Sequence, residues 1–200
     1  MLALAAVGLA GCVTAKNTLS RDDIATLRLA GVDVSFAPNV HIWWGDGERA
    51  FAASKGQPAT ESEILAKTPE GQAYLRNTIA VKVKGAMERK LSGELVGTRP
   101  VRVQVTVKAF VVASAIQRVI IGGHHSMTAD VTLVDAKSGV LLLPYAGQWT
   151  QSGAGQGIGG VLVDAALLPD PIDRVVDNYA STYGFWLSRK EPPDLAGSSG

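Results

Sequence analysis

Apolar and polar residues begin to alternate at Gly31. Val32, Val34 and Phe36 are interleaved with Asp33 and Ser35, the period of a half-buried strand. Pro38 interrupts the pattern, and Val40, Ile42 and Trp44 resume it before Gly45-Asp46-Gly47, which is expected to turn the chain. Residues 48–67 are small and polar and predict a long loop with a short helix around Ser62–Lys67. Thr68-Pro69 predicts a helix start, since a hydroxyl caps the first turn and proline has no amide to leave unpaired there. Leu75, Ile79, Val83, Met87 and Leu91 recur every fourth residue and form one buried stripe. Ser92-Gly93 is the expected stop, with the glycine able to adopt the left-handed conformation.

A second alternation is cleaner. Val101, Val103, Val105 and Val107 alternate with Arg102, Gln104, Thr106 and Lys108, as in a strand with one wet face. Met127, Ala129, Val131 and Leu133 mark a further strand over 125–134. Asp135-Ala136-Lys137-Ser138-Gly139 reads as a hairpin connection, and 140–150 as the returning strand. Asp170-Pro171 opens a last helix whose apolar face is Ile172, Val175, Val176, Tyr179, Tyr183, Trp186 and Leu187. The order is strand, loop, helix, three-stranded meander, glycine-rich segment and helix. It predicts an α+β fold, a two-layer sandwich with a mostly antiparallel sheet and two amphipathic helices on one face.

The termini alter the picture. Residues 2–11 are uncharged and apolar but shorter than the roughly 20 residues a membrane span needs, so they suit the core of a secretion signal. No basic residue precedes that run; Met1 leads straight into it. Leu9-Ala10-Gly11-Cys12 resembles the bacterial lipobox, and Cys12 is the single cysteine of the chain. The division expected is a signal peptide over 1–11, a lipidated tether over 12–30, one domain over 31–190 and a disordered tail over 191–200. Within the tether, Ser20 and Asp23 resemble a helix start, with Ile24, Leu27 and Leu29 positioned to dock a short turn.

Charge and composition mainly exclude. Nineteen basic and eighteen acidic side chains are dispersed along 200 residues, which offers no basic face for nucleic acid. One cysteine excludes an intramolecular disulfide and cysteine-based zinc sites. Gly155, Gly157 and Gly160 satisfy G-x-G-x-x-G, but too little chain follows to build the parallel strands of a dinucleotide fold, so no cofactor is expected. His124 and His125 are neighbours on an expected strand and point to opposite faces, so they do not share a metal, and His41 is distant. Ser152 lacks the flanking glycines of a nucleophile elbow. Ser126, His125 and Asp130 are close in sequence, which is not triad geometry. Two features remain as candidate interaction surfaces: Trp43-Trp44, of which one indole must leave the core, and Ile158, Val161 and Leu162 of the apolar stretch after the glycines.

The lipobox, the Val101–Val107 strand, the hairpin from Val134 to Leu141 and the glycine-rich apolar segment together resemble small proteobacterial envelope lipoproteins of uncharacterised function. That resemblance implies a diacylglyceryl group on Cys12, later fatty acylation of its freed amine, and a compact periplasmic domain. Val13 in place of aspartate after the anchor implies the outer membrane. It also implies a non-enzymatic part of an envelope assembly, with the membrane and an envelope protein as partners. A small ligand, glycan or lipid held between helices and sheet is the alternative. A hydrolase ranks third, because it requires a nucleophile, a base and a water-excluded cleft to converge.

Overall fold

The computed structural model describes residues 15–114, 119, 124–152 and 168–190. Cys12, the glycine-rich run with Ile158, Val161 and Leu162, and the tail from 191 lie outside them. The elements are α1 (Arg21–Thr26), β1 (Leu27–Trp44), α2 (Gly45–Ser54), a single 3-10 turn (Ala59–Glu61), α3 (Ser62–Ala66), α4 (Pro69–Ser92), β2 (Arg99–Val112), β3 (His125–Asp135), β4 (Leu141–Ser152) and α5 (Pro171–Ser188). This is an α+β fold in which a four-stranded sheet, ordered β1-β2-β3-β4, packs against several helices.

Local chemistry explains most of the boundaries. Thr68 Oγ1 accepts the Gly71 amide at 3.1 Å and starts α4, whose stripe Leu75, Ile79, Val83, Met87 and Leu91 is fully buried. Burial of each such side chain contributes roughly 1.5–3 kcal/mol. Asp170 caps α5 by accepting the Ile172 amide at 3.1 Å. Ser20 and Asp23 form a reciprocal capping box on α1. The stop of α4 differs from expectation: Gly93 sits at φ −82°, a right-handed conformation, and its amide bonds to Leu91.

The sheet is mixed, which corrects the mostly antiparallel expectation. β1 pairs with β2 in parallel, while β2–β3 and β3–β4 are antiparallel. The connection between β1 and β2 carries α2, α3 and α4, and such a long helical crossover is what parallel neighbours require. Gly45-Asp46-Gly47 does not turn the chain back. It opens α2, which buries Phe51 and Ala52 where a loop was expected.

Residues 15–30, read above as tether, join the fold. Leu27 and Leu29 belong to β1, and Leu27 and Ile24 are buried in the core. Asn17 Nδ2 donates to the carbonyls of Trp186 and Leu187 at 3.0 and 2.9 Å, and Trp186 Nε1 donates to the Ala15 carbonyl at 2.8 Å. Apolar periodicity is silent about such contacts because they are made by backbone carbonyls and one amide side chain.

Bulges cross the sheet at one level. On β1, residues 37–40 are inserted between Phe36, paired with Val107, and His41, paired with Ala109. On β2, Lys108 is the extra residue between Val107 and Ala109. On β4, Ala146 and Gly147 oppose the single residue Asp130, and Gly147 has φ +66°, a conformation glycine accepts without strain. Asp130 ties the level together: Lys108 Nζ lies 2.6 Å from its carboxylate, and the Gly147 amide donates to it. Proline at position 38 is tolerated because β1 is an edge strand and the residue is in the bulge.

The β3–β4 hairpin carries its own titration. The Asp135 carboxylate accepts the Ser138 amide at 3.0 Å, Arg99 Nε at 3.0 Å and the Lys137 amide at 3.1 Å. These donors favour the charged form and hold its pKa down to about 2. An unfolded aspartate titrates near 3.9. The stability from this group is therefore complete above about pH 4 and is lost as pH falls toward 2. Thermal unfolding midpoints should fall between about pH 5 and about pH 2 more steeply in the wild type than in Asp135→Asn. Parallel slopes for the two proteins would refute the assignment.

Candidate functional site

The two faces of the sheet differ in chemistry. Val32 of β1, Val101, Val103, Val105 and Val107 of β2, Met127, Ala129, Val131 and Leu133 of β3, and Leu143 and Tyr145 of β4 are buried on the core face. Beside this layer, α4 and α5 run side by side in the same direction, joined by Lys82–Asp173 at 2.7 Å, Arg89–Asp177 at 2.7 Å and Lys190–Glu94 at 2.6 Å. Tyr179 Oη donates to the Ala129 carbonyl at 2.9 Å, and burial pushes its pKa up. Tyr183 stacks edge-on with Tyr145 at 5.2 Å between centroids. These rings are buried, as are Phe110 and Met127 of the sheet.

The other face splits at the bulge level. Between the start of β1 and the bulges it is a ladder of polar pairs: Arg102 with Asp33 at 2.5 Å, Ser35 with Thr106 at 3.2 Å, and Thr132 with Gln104 at 3.2 Å. Beyond the bulges the chemistry changes. The register places His41, Ala109, Thr128 and Trp149 in one row, and Trp43, Val111, Ser126 and Gln151 in the next. Two indoles thus stand on the edge strands, with small side chains between them. At about 4.8 Å per strand, β1 and β4 are about 14 Å apart.

The four residues inserted on β1 preserve its parity, so even-numbered residues face the core on both sides of the bulge. Ile42 and Trp44 continue the core side, pairing with buried Phe110 and Val112, and Trp44 retains only 9% of its surface. Gly47 lies flat on the Trp44 indole, where a Cβ would come within 2.3 Å of a ring carbon. Trp43 faces outward at 37% exposure, and Trp149, which the sequence reading did not single out, is 56% exposed. No local signal marks it: alternation continued from buried Leu143 and Tyr145 would put Trp149 on the core face, and the extra residue at Ala146-Gly147 reverses that parity.

The histidines and acids do not converge. His124 is exposed and His125 is buried, so the neighbours diverge as strand geometry requires. Ser126 lies on the opposite face from His125, and Asp130 is engaged by Lys108 and Gly147. Among the described residues, no three of His, Cys, Asp and Glu are grouped to hold a metal ion. Glu63 pairs with Lys67 at 2.7 Å and Glu88 with Lys84 at 3.8 Å, as solvated surface acids do. Burial raises the Glu48 carboxyl, with nearby Glu63 adding to it. β4, which precedes the glycine run, is antiparallel to β3, whereas a dinucleotide fold enters that motif from a parallel strand. No helix among the described residues is long and apolar enough to cross a membrane.

No family model and no curated protein matches this chain. Among solved structures, it is similar to a Caulobacter crescentus CB15 protein provisionally named a lipoprotein, at 14% identity and a TM-score of 0.35, over 56% of this chain and 81% of that one. It is also similar to the PelC dodecamer from Paraburkholderia phytofirmans, at 11% identity and a TM-score of 0.29, over 81% and 91% of the two chains. Likeness at this level transfers neither fold nor role.

Proposed function

We propose that this protein is a lipid-anchored module of the bacterial cell envelope, held to the outer membrane through Cys12 and facing the periplasm. It acts by binding an envelope protein at Trp43 rather than by catalysis. The observation that carries the reading is the outward Trp43 indole beyond the bulge level, beside Val111 and across small residues from Trp149. Exposed indoles are frequent anchors of protein recognition, because they bury a large area with few rotatable bonds. The dispersal of His125, Ser126 and Asp130 over both faces supports a binding role over a hydrolytic one.

Two measurements test it. Radiolabelled palmitate is expected in the wild type and absent from Cys12→Ser, which should also leave the membrane fraction; equal labelling of both sinks the anchor. A photo-crosslinking side chain at position 43 is expected to capture one envelope protein in cells, and the same side chain at Gln104, on the polar ladder, to capture none. Equal capture from both positions, or none from either, removes Trp43 from the reading.

A further inference from the structure

The parallel strands β1 and β2 share one polarity. β1 and β2 both begin at one end of the sheet, where the β3–β4 hairpin also lies, and end beside Trp44 and His125 at the other. α4 and α5 run the same way, so their C-terminal ends share the first end with the α4–β2 connection. The chain leaves the described fold there as well. Ala15 and Asn17 are pinned to the last turn of α5, and Arg189 donates to the Asn17 carbonyl at 2.8 Å. Cys12 lies three residues before Ala15, a reach of at most about 10 Å of extended chain. An anchor on Cys12 therefore holds this end of the domain close to the bilayer, with no long leash.

The side chains at that end suit such a neighbour. Val96, Val140 and Leu141 are 74%, 59% and 54% exposed, on the α4–β2 connection and the hairpin. Both turns lie at this end of the sheet, the first against β1, where Val96 bridges Arg28, and the second against the start of β2, where the Ala136 amide donates to the Pro100 carbonyl. The same end carries Arg28 opposite Val96, Lys137 in the hairpin, and Lys16, Arg21 and Arg189 beside the last turn of α5. Among the described residues, the acids of the same end are Asp22 and Asp23 of α1, Glu94, taken by Lys90 and Lys190, and Asp135, taken by Arg99. Arg21, Arg189 and Lys190 also line an open groove, together with Glu94, Ile24 and Gly93. Exposed apolar tips within a basic rim match the headgroup layer of an anionic bilayer, where the tips bury methyl groups and the cations meet phosphates.

We infer that this end of the domain rests on the bilayer surface, with Val96, Val140 and Leu141 in the headgroup layer of anionic phospholipid. The inference rests on the lipid anchor proposed above. It sets Trp43 on the order of 40 Å from the membrane, the length of β2, where a periplasmic partner reaches it.

The test uses the full lipidated protein, purified in detergent and reconstituted into vesicles of phosphatidylethanolamine and phosphatidylglycerol. Single cysteines at Val96→Cys, Leu141→Cys and, on α2 at the far end, Ala50→Cys carry an environment-sensitive fluorophore. Mass spectrometry of the N-terminal peptide reports the lipid on Cys12. On moving from detergent to vesicles, iodide quenching should fall severalfold at positions 96 and 141 and stay unchanged at position 50. With lipid present, equal quenching at all three positions overturns the placement and leaves the anchor standing. An unmodified Cys12 overturns the anchor and the placement with it. Protection that persists undiminished in phosphatidylcholine vesicles overturns the role of anionic lipid.

Discussion

Gly97→Val is expected to destabilise the domain by about 3–5 kcal/mol, enough to leave much of it unfolded. A Cβ at this position would stand 2.2 Å from the Thr26 carbonyl carbon, 2.3 Å from its oxygen and 2.5 Å from the Ala25 oxygen. All three are backbone atoms, so no side chain can rotate away. The main chain must move, and it is held by the Gly97 amide to the Leu27 carbonyl at 2.7 Å and the Thr98 amide to the Thr26 carbonyl at 2.9 Å. Each such bond contributes about 1 kcal/mol, and their loss adds to the overlap. Gly93→Ala is the companion measurement, because nothing lies within 4 Å of its Cβ position and its φ is ordinary. It should be neutral or stabilise by up to about 1 kcal/mol. Urea midpoints that fall equally in the two variants would mean that close approach is not what Gly97 provides.

Phe110→Ala should cost about 3–5 kcal/mol, through lost burial and the cavity left in a central strand. Val111→Ala, one residue along the same strand, should cost about 1 kcal/mol or less. Phe110 is wholly buried between Ile42 and Met127, whereas Val111 is half-buried on the outer face. The pair measures the bulge at Lys108 directly. Before it, odd-numbered residues of β2 face the core; after it, even-numbered ones do. Similar urea midpoints for the two variants would mean that the parity does not change.

Neither the overlap at Gly97 nor the parity change at Lys108 is written in a local pattern, although much of the surrounding fold is. The Thr68-Pro69 start, the α4 stripe, the valine alternation from 101 to 107, the Asp135–Gly139 connection and the α5 face are local patterns, and each appears in the fold as its period implies. The Lys108 bulge is not local. Val107 and Phe110 are three apart, a spacing that alone favours neither a continued strand nor a break. Only the pairing with Ala129 and Met127 shows that one residue has been looped out. Gly97 is similarly opaque: its constraint comes from residues 25 and 26, more than seventy positions earlier.

The candidate surface divides along the same line. Adjacent side chains on a strand must point to opposite faces, so the Trp43-Trp44 pair by itself required one indole in and one out. Which of them is which follows from the alternation with Val40 and Ile42, since the four residues inserted on β1 leave its parity unchanged, and Gly47 closes over Trp44. Trp149 joined Trp43 only through the order of four strands. The parallel pairing of β1 with β2 likewise came from the helical crossover between them, which alternation does not encode.

The amino-acid pattern by itself thus determined the element types, the identity of most core side chains and the alternation of the sheet faces. These follow from periodicity and capping, which act within a few residues. Tertiary structure decided the mixed sheet, the parity changes at the bulges, the inclusion of residues 15–30 in the fold and the placement of Trp43 at the end opposite Ala15. The reason is physical: pairing partners, backbone overlaps and the direction in which a strand enters the sheet are properties of segments far apart in the chain, and no local spacing carries them.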